Sequence, residues 1–410
     1  MSTTPFEIHV SDSKLERLRQ KLALTDYPVE TQSDSEDSWD RGPPVSEINR
    51  LAQVWQTSYD WRKVEAHLNT YPQFLTLVDI ESFGTYTLHH IHKQSARLDA
   101  IPLLFLHGWP GSFLEVTKIL EDLVRGVADG PAFHVVAPSL IYFGFSSAGG
   151  SKMFGFDQQA EAYHKLMLQL GYNEYVIQAG DVGGLVSRYI AKMYGPVHCR
   201  AHHTNTPTPG EPDAATHPEL HAKILSTPLS ESEQKGLART AQFQKDGFGY
   251  YKQLSTKPRT ISYSLSDSPV GLLAWMYEKM RAWSDNYPWT DEEILTWASI
   301  YYFSTAGPDA SSNVYYAMEH SEPPAFAAAA AYVDVPLGIS RFTNDLVLLP
   351  KLWNHSLGPI VAESEHESGG HFAAWENPDA IVRDLRDMFG RGGGAYEIAQ
   401  SILQRSRTGE

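Results

Sequence analysis

Residues 174–184 read Glu174-Tyr175-Val176-Ile177-Gln178-Ala179-Gly180-Asp181-Val182-Gly183-Gly184, a short β-type run that breaks into small residues on both sides of one carboxylate. Apolar Leu185, Val186, Tyr189, Ile190 and Met193 follow at helical spacing, and Gly195-Pro196 stops them. The pattern predicts strand, tight turn and helix: a nucleophile elbow, in which small neighbours let the backbone turn sharply and lift one side chain clear of the sheet. The lifted residue is Asp181. Serine there suits attack on an acyl carbon, whereas a carboxylate suits displacement at a saturated carbon and leaves an alkyl ester on the protein. A Gly-rich turn with Asp181 merely capping the helix fits the same stretch, so the rest of the chain must decide.

Working outward, Ile101-Pro102-Leu103-Leu104-Phe105-Leu106 is a continuous apolar run of the kind buried on both faces of a sheet, and it leads into His107-Gly108-Trp109-Pro110-Gly111-Ser112. Phe133-His134-Val135-Val136-Ala137 is a second such strand, and a helix from about Asp157 to Leu170 precedes the elbow strand. Strands alternating with helices predict a mostly parallel α/β sheet with its reactive groups at the carboxyl ends of the strands, where both His107–Ser112 and Asp181 lie. Strand character returns at Tyr332-Val333-Asp334-Val335-Pro336 and at Ile360-Val361-Ala362, and a last helix follows Asn377-Pro378.

The flanking segments read differently. Residues 1–95 do not read as a sheet: Ser13–Leu22 is an amphipathic helix, Ser33–Pro44 an acidic loop, and Ser46–Leu68 a helical stretch whose Trp55, Tyr59 and Trp61 imply that it wraps another body. Tyr86–His92 alternates like an edge strand, with His90 and His92 on one solvent-side face rather than holding a metal. From Pro207 to Ala330 the strand signal disappears. There Ser268-Pro269 opens an aromatic helix through Trp275, Tyr277 and Trp283, and Thr290 with Glu293 forms a capping box, which predicts a helical insertion acting as a lid.

A chain of 410 residues with a formal charge of −16 is large enough for one big core with an insertion, and its charge argues against a nucleic-acid backbone or an anionic membrane as partner. The single Cys199 forbids an internal disulfide and reads as a small buried residue. No stretch approaches the ~18 apolar residues of a membrane span and the start carries no signal pattern, so a cytoplasmic location is expected.

An elbow nucleophile needs a base for water, an acid to hold that base, and donors for the developing oxyanion. Downstream of Asp181, Gly369-Gly370-His371-Phe372 sets a histidine in a glycine-flanked loop after the final core strand, and Asn344-Asp345-Leu346 follows the penultimate one. The order nucleophile, acid, histidine therefore points to Asp181, Asp345 and His371. Asp334 is the rival acid, placed inside a strand and pointing away. Ser146 is the one rival serine, and Gly144-Phe145-Ser146-Ser147-Ala148 lacks the elbow's final glycine.

Here the residues carry a family resemblance, covering nearly the whole chain, to the epoxide hydrolases of the microsomal type with their soluble fungal and insect juvenile-hormone-processing relatives. It rests on Tyr59–Ala66 with Tyr71-Pro72-Gln73-Phe74, on His107–Ser112, Gly180-Asp181, Ser255-Thr256-Lys257-Pro258 and Asp267–Leu272, and on Gly369–Ala374, in that order. The resemblance implies an α/β-hydrolase fold in four parts: an N-terminal meander (1–95), core (96–206), helical lid (207–330) and core again (331–410). It implies two lid tyrosines that donate to the epoxide oxygen: Tyr250, with Tyr251 as rival, and Tyr316, with Tyr315 as rival. A phenol suits that role because it stabilises an alkoxide and then protonates it. Val182 after the nucleophile, and Ile141–Ser146 in place of a Pro-Gly start, depart from the related pattern and bear on substrate size.

The reading is thus an epoxide hydrolase without cofactor or metal, whose partners are a small epoxide and water. Asp181 attacks, Tyr250 and Tyr316 hold the oxygen, and His371 with Asp345 activates water. The N–H groups of Trp109 and Val182 form the oxyanion hole. Rival readings are an epoxide-opening cyclase, a haloalkane dehalogenase and a non-catalytic ligand-binding relative. Family members often pair as homodimers through lid and meander.

Overall fold

A computed structural model describes residues 3–29, 39–128, 130–150 and 152–408 of the chain. Among the described residues nine strands form one sheet: β1 (Thr3–Pro5), β2 (Gln73–Ile80), β3 (Gly84–Lys93), β4 (Ala100–Leu106), β5 (Ala132–Pro138), β6 (Tyr175–Ala179), β7 (Cys199–Thr204), β8 (Leu337–Phe342) and β9 (Ile360–His366). Their order is β1-β2-β3-β5-β4-β6-β7-β8-β9. The strands from β5 through β9 run parallel, while β1, β2 and β3 join antiparallel on the β5 side. Central β4 is buried along its whole length, which its unbroken apolar sequence requires once neighbours pair on both edges and helices cover both faces.

Several expectations are corrected. Residues 1–95 do contribute to the sheet, and β3 is an interior strand between β2 and β5. Its His90 is accordingly fully buried, with Nε2 3.0 Å from the Thr76 hydroxyl, and His92 lies 2.9 Å from the Tyr172 hydroxyl. Burial pushes both imidazoles down, to about 3 and about 4, so both are neutral, His90 in the interior and His92 half-buried against Tyr172. Tyr332–Pro336 is a loop, and the strand begins only at Leu337. β7 had no counterpart in the sequence reading, because Cys199-Arg200-Ala201-His202-His203-Thr204 lacks an apolar run although three of its six residues, His202, His203 and Thr204, are polar groups buried by the sheet. The stretch from 46 to 68 is two helices, Val45–Thr57 and Trp61–Leu68, the second opened by Asp60, whose side chain accepts the Lys63 N–H at 3.2 Å. A further helix, Tyr396–Thr408, follows Pro378–Phe389. Of the acidic loop, residues 33–38 lie outside the described residues.

Between Pro218 and Ala329 the described structure is helical. Ser268 caps the helix Pro269–Trp283 by accepting the Gly271 N–H at 2.9 Å, and Thr290 with Glu293 closes a capping box on Asp291–Tyr302. The N-terminal helices lie against this insertion. Trp55 donates its indole N–H to Ser299 at 3.1 Å, Tyr59 pairs with Thr296 at 3.0 Å, and Arg50 grips Asp291 through two nitrogens at 2.6 and 2.8 Å. Aromatic surface that a free helix would expose is thereby buried, and its polar ends are satisfied. Among the described residues no helix is long and apolar enough to cross a membrane.

Candidate active site

Asp181 stands between β6 and the helix Asp181–Tyr194 with φ +50°, a left-handed conformation that β-carbon residues rarely adopt. Its neighbours make the bend possible. A Cβ at Gly183 would lie 2.3 Å from the Leu106 carbonyl oxygen, and one at Gly108 would lie 2.2 Å from Asp181 Oδ1. These two glycines therefore let the elbow press against β4 and the carboxylate press against the loop after it.

The carboxylate is held at both oxygens. Oδ1 accepts the Trp109 N–H at 2.8 Å, the Val182 N–H also faces the group, and Oδ2 is 3.4 Å from His371 Nε2. Behind the imidazole, Nδ1 is 2.9 Å from Asp345 Oδ1. Asp345 is buried and accepts the Leu346 N–H at 2.6 Å, while Arg239 fixes its loop by donating to the carbonyls of Asn344 and Asp345, each at 2.7 Å. Burial alone raises the Asp181 pKa, but His371 and the two amides outweigh it and hold the group below its ordinary value. Burial likewise pulls His371 down, yet Asp345 and Asp181 carry it well above the ordinary imidazole value. Both shifts favour the charged pair, a carboxylate facing an imidazolium.

The lid completes the site from above. Tyr250, on the helix Gly249–Thr256, stacks on Trp109 with ring centroids 5.3 Å apart, while adjacent Tyr251 turns away and donates to Glu319 at 2.6 Å. On the helix Ser312–His320, Tyr315 is 2 % exposed, its ring is 5.7 Å from Tyr250, and its hydroxyl, near that of Tyr250, has no partner within hydrogen-bond distance among the described residues. Tyr316, the residue expected from the sequence, is corrected: it is 36 % exposed and stacks on His320 at 3.8 Å, away from Asp181. The reason is helical phase. Ser311, Val314, Tyr315 and Met318 share the buried stripe at spacings of three and four, so one further residue rotates outward. The apolar pair Val314 and Met318 was the available signal. Burial, and after it the charge of Asp181 or of the partner tyrosine, pushes Tyr250 and Tyr315 well above the ordinary phenol value, so both remain protonated donors.

The rivals fall elsewhere. Asp334 is an exposed loop residue before β8, at the opposite end of the sheet, and not a strand residue as expected. Ser146 is fully buried, donating to the Ser139 carbonyl at 2.7 Å and accepting the His89 N–H at 2.9 Å. Cys199 is a buried β7 residue whose thiol burial pushes up. A residue that motif reading passed over is Glu115, whose carboxyl lies where a Gly111 Cβ would point. Burial pushes it up to about 8, against the pull of His371 and with the push of Asp181, so a third carboxyl borders the pair. A cleft of about 1150 Å³ bordered by Tyr250, Trp275, Lys279, Trp283 and Leu346 adjoins the site on the lid side.

Comparison with known proteins agrees with this architecture. The family model described as epoxide hydrolase N terminus matches residues 3–116, and the one described as alpha/beta hydrolase fold matches residues 101–318. Epoxide hydrolase 1 of Sus scrofa is 31% identical over 95% of this chain and 89% of that protein. The solved structure of Aspergillus niger epoxide hydrolase superposes with a TM-score of 0.80 at 33% identity, covering 94% of this chain and 95% of that one. Juvenile hormone epoxide hydrolase from the silkworm Bombyx mori gives a TM-score of 0.84 at 25% identity, covering 99% and 96%. On the strength of these matches over nearly its whole length, the chain belongs to the epoxide hydrolases of the α/β-hydrolase fold.

Proposed function

We propose that this epoxide hydrolase opens a small epoxide to a vicinal diol in two steps through an ester on Asp181. The observation that carries the reading is the line Asp345, His371, Asp181, with 2.9 and 3.4 Å between successive groups, facing two buried phenols of which one hydroxyl is unpartnered. In the first step an Asp181 oxygen attacks the less hindered epoxide carbon and the C–O bond breaks. The phenols of Tyr250 and Tyr315 donate to the departing alkoxide and one of them protonates it. A carboxylate held below its ordinary pKa is ionised across the working pH range, as this step requires.

Alkylation then changes the electrostatics. The ester carries no charge, so His371 loses one of the two carboxylates that hold its proton, its pKa falls, and the proton passes to the tyrosinate left by the first step, which restores the phenol and leaves the imidazole neutral. The neutral imidazole takes a proton from water, and the hydroxide attacks the ester carbonyl. The oxyanion forms where the Trp109 and Val182 N–H groups already point. Collapse releases the diol and returns the carboxylate. Racemic styrene oxide and a 1-haloalkane, assayed side by side, test the reaction class: diol without halide is expected, and halide without diol would replace the reading by dehalogenation. The same resemblance carries a homodimer and a cytoplasmic location, which sedimentation and cell fractionation test.

A further inference from the structure

The loop that bears His371 is satisfied amide by amide. Four consecutive N–H groups have the following acceptors: Gly369 donates to Asp285 Oδ2 at 2.9 Å, Gly370 to Glu376 Oε2 at 3.1 Å, His371 to the Trp283 carbonyl at 2.9 Å, and Phe372 to Glu376 Oε1 at 2.9 Å. Glu376 thus grips the amides on both sides of the imidazole-bearing residue. Its Oε2 also accepts the Asp285 N–H at 2.7 Å. Trp283 ends the lid helix Pro269–Trp283 and Asp285 lies just beyond it, so both remaining acceptors belong to the lid. The approach is close. A Cβ at Gly370 would come 2.5 Å from the Trp283 carbonyl oxygen and 2.9 Å from the Asp285 nitrogen.

We propose that Glu376 is a positioning residue that seats His371 for ester hydrolysis and locks that seat to the closed lid. Glu376 touches no reacting atom. It acts through the backbone: its two oxygens accept three amide hydrogens, whose pull and that of His371 offset only part of the burial that pushes the carboxyl up to about 7, and ionisation makes such bonds about twice as strong as neutral ones. With Asp285 it forms a reciprocal pair: the lid amide binds the Glu376 carboxylate while the lid carboxylate binds the His371 loop. Lid closure over the tyrosines and orientation of the imidazole are therefore one structural event. Attack by Asp181 needs the carboxylate and the phenols, whereas water activation needs the imidazole in place, so weakening the clamp selects against the second step.

The inference rests on His371 being the water-activating base, and the test separates the two. Glu376→Gln keeps the shape but turns one accepting oxygen into an NH₂ that opposes an amide N–H. Ester hydrolysis should slow about 10-fold or more, the scale of a small misplacement of a reacting group. Alkylation should stay within about 3-fold, so kcat and KM fall together, kcat/KM holds, and the covalent ester accumulates in intact-mass spectra at steady state. Asp285→Asn should give the same split more weakly, and it decides the matter alone where Glu376→Gln fails to fold. Equal slowing of both steps, or unchanged kcat in the folded variants, overturns the proposal. If His371→Gln fails to accumulate ester under the same conditions, the fault lies with the base assignment and not with the clamp.

Discussion

The site is made of two halves that differ in how they are held. Asp181, Asp345 and His371 stand at the carboxyl ends of parallel strands, each fixed by a backbone hydrogen bond: Asp181 accepts the Trp109 N–H, Asp345 accepts the Leu346 N–H, and the His371 N–H donates to the Trp283 carbonyl. Tyr250 and Tyr315 ride on helices of the insertion and are placed by helix packing and aromatic contact. In the strand-end half, position along the chain and position in space are nearly the same thing. In the lid half, a shift of one residue is a rotation of about 100° and exchanges the site for solvent. The comparison teaches that the three groups whose mutual alignment the proposed chemistry needs sit at strand ends, while the two proposed donors sit on helices of the insertion.

The largest expected effect tests the sheet half. Asp181→Asn removes the nucleophile, and steady-state diol formation should fall by about 10⁴-fold or more, with no covalent adduct. His371→Gln should separate the halves: the lid and Asp181 remain, so about one epoxide per site is consumed, and the enzyme stalls as a species heavier by the mass of the substrate. Turnover at the native rate would remove His371 from the water-activating role.

The lid half should respond less. Tyr315→Phe is expected to slow alkylation by about 10²-fold, the scale of one positioned proton donor. Tyr316→Phe should leave rates within about 2-fold, since that ring lies outside against His320. The reverse pattern in stopped-flow tryptophan fluorescence would return the role to Tyr316.

A smaller effect reads the electrostatics directly. The folded His371 pKa lies above the unfolded value, so its contribution to stability is complete below about 6.5 and is lost as pH rises through the folded value. Asp345→Asn removes the first attractive partner. NMR titration of the imidazole should then move down, and the loss of stability with rising pH, which still begins at the unfolded value, should be smaller and complete at a lower pH.

How much of this was legible in the sequence follows the same division. The elbow was readable because Gly180 and Gly183 flank a carboxylate at the end of an apolar strand, and the acid and base were readable from their order after it. The buried tyrosine of the second pair was misplaced by one residue, because tandem Tyr315-Tyr316 identifies the pair and only the packing of Val314 and Met318 fixes the phase. Tandem Tyr250-Tyr251 is resolved in the structure by Glu319, which occupies the second hydroxyl. β7 and the place of β3 inside the sheet were illegible for another reason. Their polar residues are satisfied by partners distant in sequence, such as Thr76 for His90 and Ser340 for His203, so local hydropathy misreports their burial. Glu115 and Glu376 were passed over because each carboxyl meets backbone amides of a loop, Gly108 and Ser112 for the first and Gly370 and Phe372 for the second, whose path the sequence does not disclose.

The central claim is the ester on Asp181, and isotope transfer tests it most directly. Enzyme in excess over epoxide is allowed a single turnover in ¹⁸O-water, and the peptide containing residue 181 is weighed. Water attacks the ester carbonyl in this account, so label should enter the Asp181 carboxylate, and the diol from that first turnover should carry an oxygen from the enzyme. Label confined to the diol, with an unlabelled Asp181 peptide, would mean that water attacks the epoxide carbon directly and would contradict the account.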